Sequence, residues 1–112
     1  MPAVAFAAYP KGANMNLDYY RNKHVPWVFG LWQPYAKAYR LLVTPAGAAA
    51  DSCPYEVIIE IDLEHKDDLD KANAQLTPEQ AQAINDDLVN YSQKPPSFWV
   101  LDVEKSGSNS SA

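Results

Sequence analysis

The stretch Tyr55-Glu56-Val57-Ile58-Ile59-Glu60-Ile61-Asp62-Leu63 limits what this chain can fold into more than any other segment. In a strand, Tyr55, Val57, Ile59, Ile61 and Leu63 share one face, and Glu56, Ile58, Glu60 and Asp62 share the other. Such a strand needs neighbours in a sheet and a second layer to bury its apolar side. Both must come from 112 residues, enough for one domain and too few for two.

Three further strands are predicted. Ala3 to Tyr9 holds β-formers and stops at the turn Tyr9-Pro10-Lys11-Gly12. Ala36 to Thr44 ends at Pro45-Ala46-Gly47, and the small residues of 46–54 read as a loop. After Pro95-Pro96, Ser97 to Glu104 alternates Trp99, Leu101 and Val103 against Phe98, Val100 and Asp102. Helical signals fill the gaps. Asn14 or Asn16 caps a helix that starts near Leu17, Asp67 to Gln75 reads as a short helix, and Thr77-Pro78-Glu79-Gln80 opens another with a capping box. In this last helix Ala81, Ile84 and Leu88 share a face.

The order strand, helix, strand, strand, helix, strand predicts an α+β, ferredoxin-like βαββαβ domain with an antiparallel sheet over residues 1–105. Residues 106–112, a polar Gly/Ser/Asn stretch, are expected to form a disordered tail. Helices cover one face of such a sheet. On the other, Ile58 and either Phe98/Val100 or their alternates stay uncovered, and an apolar face of that kind marks an interface. A sheet-to-sheet homodimer covers it.

The first helix carries the candidate chemistry. Leu17, Tyr20, His24, Trp27/Val28 and Leu31 recur at helical spacing, which turns the His24 ring toward the sheet. Pro26 is expected to kink the helix and push Val25 out of helical geometry. A neutral imidazole on that face can take a proton from a substrate hydroxyl or activated carbon. Its alternative role is structural, as a buried histidine bonded to a backbone carbonyl or holding the kink. Tyr20, one turn before it, can orient the imidazole or bind a substrate oxygen, whereas Tyr19 is expected to point elsewhere and pack. Tyr9, at the strand end, can reach the same cleft. Trp27, Phe29, Trp32 and Trp99 are core candidates whose density would favour a planar, apolar ligand in any pocket. Either Tyr39 or Arg40 faces the helices; Arg40 there would hold a carboxylate or phenolate, and on the other face would form a surface ion pair.

The remaining features are mostly exclusions. A net charge of −5 with no basic stripe argues against nucleic acid as the partner. Charge is uneven: residues 1–50 hold five Lys/Arg and one acid, and residues 51–112 hold four and thirteen. The uneven charge fits differently solvated faces or complementary docking of copies. Cys53, the single cysteine, cannot close an internal disulfide. The apolar opening Met1 to Ala8 lacks a basic flank and is too short to span a bilayer, so a cytoplasmic protein without membrane contact is expected. No metal is expected, because His24, His65 and Cys53 fall on separate elements. No cofactor is expected either: four glycines build no phosphate loop, and no hydrolase elbow occurs.

Taken together, Tyr9-Pro10-Lys11-Gly12, then Leu17-Asp18-Tyr19-Tyr20-Arg21-Asn22-Lys23-His24-Val25-Pro26, and a late Asn90-Tyr91 to Pro96 segment give a pattern that resembles the EthD family of the dimeric α/β-barrel superfamily. The resemblance spans roughly residues 3 to 104. It implies a dimer whose sheets form a barrel, with a ligand cleft between each sheet and its helices. Related groups include cofactor-independent monooxygenases, lactone isomerases, and polyketide cyclases or decarboxylases. The fold therefore implies a pocket and not a reaction. The expected function is cofactor-independent acid–base chemistry on a hydrophobic aromatic or polyketide-like metabolite, by cyclisation, dehydration, decarboxylation, isomerisation or oxygenation. The alternatives are a non-catalytic accessory or binding protein for such a metabolite, or a stress-type dimer without a ligand.

Overall fold

The structure, a computed structural model, describes residues 1–45 and 53–109. Most of the loop read over 46–54, and the end of the tail at 110–112, lie outside the described residues.

Four strands form one antiparallel sheet in the order β2-β3-β1-β4: β1 Ala3–Pro10, β2 Ala38–Val43, β3 Tyr55–Leu63 and β4 Ser97–Asp102. Among the described residues, three helical elements, α1 to α3, complete the ferredoxin-like α+β arrangement. The first, α1, runs through Leu17–Tyr19, a wider π-turn over Tyr20–His24, and Val25–Leu31. Next come α2, Asp68–Ala74, and α3, Pro78–Asp86, which tightens into a 3-10 turn at Asp87–Asn90.

Register explains which side chains meet the helices. Ala3, Ala5, Ala7 and Tyr9 of β1 are buried, as are Val57, Ile59, Ile61 and Leu63 of β3. Each of the larger aliphatic side chains contributes about 1.5–3 kcal/mol by leaving water. The alanines fill little volume, so the central strand leaves room beneath the helices. Tyr55 departs from the predicted face. The ladder slips between Tyr9 and Pro10, and this irregularity sends Tyr55 toward Trp99 on the opposite face, with ring centroids 6.1 Å apart.

That opposite face carries Phe6 stacked on Trp99 at 5.4 Å, with Ile58, Leu42 and Leu101 nearby in register. Leu42 and Leu101 are exposed. Trp99 and Leu101, not Phe98 and Val100, thus join Ile58 on the open side.

Local signals set the helix ends. Asn16, rather than Asn14, caps α1 through Oδ1, which accepts from the Tyr19 amide at 3.2 Å. Gly12 adopts φ 90° in the preceding turn, a conformation that favours glycine. The capping box of α3 is complete: Thr77 Oγ1 accepts from the Gln80 amide at 3.1 Å, and Gln80 Oε1 accepts from the Thr77 amide at 2.9 Å.

Pro26 acts differently from the kink expected of it. Val25 keeps helical angles, φ −61° and ψ −50°, and its amide bonds Tyr20 O, five residues back. Proline lacks an amide and crowds the carbonyl four residues before it; the wider π-turn relieves that crowding without breaking the helix. Among the described residues, no helix is long and apolar enough to cross a membrane, and no group of three or more His, Cys, Asp or Glu could hold a metal.

Candidate active site

A cavity of about 240 Å³ lies between the sheet and the helices. Its floor includes Ala5, Ala7, Ile59 and Ile61, and its walls include Val28, Phe29, Trp32, Leu69, Ile84 and Leu88. The polar part is a cluster of His24, Tyr9, Tyr20 and Tyr91. Their rings touch: Tyr20 stacks on His24 at 5.5 Å, Tyr91 lies 4.5 Å from His24, and Tyr9 meets Tyr20 edge-on at 5.3 Å.

His24 is held from behind. Its Nδ1 donates to Asp87 Oδ2 at 2.8 Å. Asp87 Oδ1 accepts from the Tyr19 hydroxyl at 2.5 Å and from the Asn90 side-chain Nδ2 at 2.9 Å. Burial favours the neutral carboxyl of Asp87, but the hydrogen bonds from Tyr19, Asn90 and His24 outweigh it and hold the acid below its usual range. For His24, burial disfavours the imidazolium and outweighs the nearby Asp87 carboxylate, so the ring titrates below an ordinary histidine. At neutral pH the pair is a carboxylate and a neutral imidazole protonated on Nδ1.

The other nitrogen is therefore a base. Nε2 meets the Tyr91 hydroxyl at 3.4 Å, too long for a strong hydrogen bond, and Tyr91 meets the Tyr9 hydroxyl at 3.1 Å. Burial, above all, pushes the phenols of Tyr9, Tyr20 and Tyr91 far up, so all three keep their protons. The site thus joins one proton acceptor to neutral hydroxyls in apolar surroundings, where such groups act strongly.

The structure brings together His24, Tyr20, Tyr9 and Phe29 from the residues singled out in the sequence. Trp27 sits edge-on to His24 at 5.9 Å but does not line the cavity. Arg40 and Trp99 lie elsewhere. Strand alternation puts Tyr39 on the cavity side, edge-on to Phe29 at 5.0 Å, and Arg40 on the open face, where it bonds Glu60 across the β2–β3 ladder. Trp99 follows Phe6 to the same open face. Tyr19 is not mere packing, since its hydroxyl reaches Asp87.

Asp87, Asn90 and Tyr91 did not emerge as site residues from the sequence. One signal was present: Asp86 and Asp87 place negative charge at the negative end of α3, an unfavourable position unless a partner compensates. Tyr19 was hidden by the π-turn, which brings residues five apart onto one side.

No family model matches the sequence, and no curated protein matches it. Solved structures do. An EthD-like protein from Ralstonia eutropha JMP134 superposes with TM-score 0.75 at 21% identity, over 94% of this chain and 96% of that one. The fold is that of the EthD-like proteins. A second member, an ethyl tert-butyl ether degradation (EthD) family protein from Bacillus halodurans C-125, gives TM-score 0.64 at 16% identity over 92% and 99%. The cofactor-independent oxygenase SnoaB from Streptomyces nogalater gives 0.60 at 12% over 94% of each chain. At these identities the likeness concerns fold.

Proposed function

We propose that this chain is an EthD-type, cofactor-independent enzyme. His24, oriented by Asp87, takes a proton from a hydroxyl or activated carbon of a hydrophobic aromatic or polyketide-like metabolite. The observation that carries this reading is the 2.8 Å Asp87–His24 bond, which leaves Nε2 unprotonated beside an apolar cavity. In the step itself, the substrate O–H or C–H proton moves to Nε2, and its electron pair stays on the substrate as phenolate or enolate. Asp87 stabilises the imidazolium formed, and the phenols of Tyr9, Tyr20 and Tyr91 can donate to the developing oxyanion. Cyclisation, dehydration, decarboxylation, isomerisation and oxygenation can each follow from such an anion.

A cavity lined this way also suits an accessory protein that carries a hydrophobic metabolite without changing it. One experiment separates the two. Anthrone, a tricyclic ketone with acidic C–H bonds, is incubated with the protein in deuterium oxide under nitrogen, and loss of its benzylic proton signal is followed by NMR. The enzyme reading expects wash-out accelerated by the wild type and slowed about 10²–10⁴-fold in His24→Gln. Retention of anthrone without accelerated wash-out contradicts it and favours the carrier.

The open sheet face supports a homodimer. Phe6, Trp99, Ile58, Leu42 and Leu101 form an apolar surface that a second copy would cover sheet to sheet.

A further inference from the structure

The chemistry lining the cavity restricts the ligand further than shape does. Hydrogen-bonding groups on the lining come from His24, neutral at pH 7, from Tyr9, Tyr20, Tyr39 and Tyr91, and from Trp32 and Asn85. Among the described residues, no lysine or arginine lines the cavity. Residues 46–52 and 110–112 contain neither type and so cannot supply one. Arg40 is bound to Glu60 on the far side of the sheet, Arg21 bonds Asp18, and Lys37 pairs with Glu64. The nearest fixed charge to the polar cluster is negative: the Asp87 carboxylate directly behind His24.

An anionic ligand there would lose its hydration, gain no counter-ion and meet a like charge. A hydroxyl fits better. The 3.4 Å separation between Nε2 and the Tyr91 hydroxyl is a long, weak contact. A ligand O–H inserted at that point donates to Nε2 and accepts from Tyr91, making two good hydrogen bonds from one poor one. Size adds a limit: 240 Å³ falls below the roughly 300–1,000 Å³ of pockets for drug-sized ligands, which leaves room for a compact planar molecule.

Resting on the reading of this cavity as the ligand site, we infer that it selects an uncharged hydroxyarene of two or three fused rings and rejects carboxylated or phosphorylated congeners. Of the reactions an enolate or phenolate could enter, this disfavours decarboxylation of a free acid and leaves cyclisation, dehydration, isomerisation and oxygenation.

The test is isothermal titration of the full-length protein at about pH 7, where a carboxyl is ionised. The probes are 2-naphthol, 2-naphthoate and 2-methoxynaphthalene, which share a ring system. Expected are a preference of about tenfold or more for 2-naphthol over 2-naphthoate, and weaker binding of the methyl ether, which cannot donate. Tyr91→Phe should weaken 2-naphthol and its ether alike, because both accept from the Tyr91 hydroxyl, and leave the gap that donation to Nε2 sets between them. A preference for 2-naphthol under about tenfold, a reversed order, or no binding of 2-naphthol overturns the inference. Because naphthol binding involves no carbon-bound proton, this selectivity and the anthrone wash-out fail independently.

Discussion

At His24 two influences oppose each other: burial disfavours the imidazolium, the Asp87 carboxylate favours it, and burial prevails. The sign of the pH dependence follows. A histidine whose folded pKa is depressed binds fewer protons folded than unfolded, so stability falls as pH drops below the unfolded value of about 6.5. Asp87, itself depressed, contributes stability that is lost lower, below about pH 4. Thermal melts should therefore show Tm falling between neutral pH and about pH 5 in the wild type, and a flatter profile there in His24→Gln. Asp87→Asn should lower catalysed wash-out by about 10²-fold or more. It should also move the acid limb of the rate profile to lower pH, because a charge that raised the His24 pKa is gone; an unmoved limb would make Asp87 only a packing residue. Ala7→Leu tests the cavity, with Leu occupying space above β1, so binding of 2-naphthol should be lost while the melt stays within about 3 kcal/mol of wild type. His24, Tyr20 and Tyr9 were legible because helical spacing and a strand end place them. Asp87 and Tyr91 were not, since they arrive through tertiary contacts from some sixty residues away.

At the scale of elements, the π-turn is the feature that helical periodicity misses. In a regular α-helix Tyr19 and His24 would project about 140° apart, yet both reach Asp87 because the turn between them is one residue wider. Deleting the exposed Asn22 leaves Tyr19 and His24 four residues apart, about 40° in an α-helix, so helical circular dichroism, the shared reach to Asp87 and wash-out activity should all survive; a folded but inactive deletion variant would show that the width of the turn itself is required. The element ends were more readable. Thr77-Pro78-Glu79-Gln80 specifies its cap by side-chain chemistry alone, and Thr77→Ala should cost about 1 kcal/mol in a denaturant titration. β3 was legible by alternation except at Tyr55, where the ladder irregularity beside Pro10 depends on a strand far away in sequence. Similarly, alternation fixed that Tyr39 and Arg40 face opposite ways, but only the register with Ile61 and Glu60 decides which one enters the cavity.

For the whole molecule, helices on one face of the sheet create the cavity, and the other face carries Trp99, Phe6 and Leu101, which the proposed homodimer would bury. Trp99→Glu should convert a sedimenting dimer to monomer at micromolar concentration, since it places an unpaired charge at the centre of an apolar interface. A wild-type monomer would remove the barrel arrangement from the proposal while leaving the cavity chemistry to stand on its own. That chemistry depends on one state of one ring: His24 neutral, protonated on Nδ1 toward Asp87, with Nε2 open to the ligand. Nitrogen-15 NMR of the labelled imidazole reads this state directly. At neutral pH it should report the Nδ1–H tautomer, an apparent pKa below the ordinary histidine value, and an Nε2 shift that responds to added 2-naphthol. An imidazolium at neutral pH, or a proton on Nε2, would contradict the base assigned to His24.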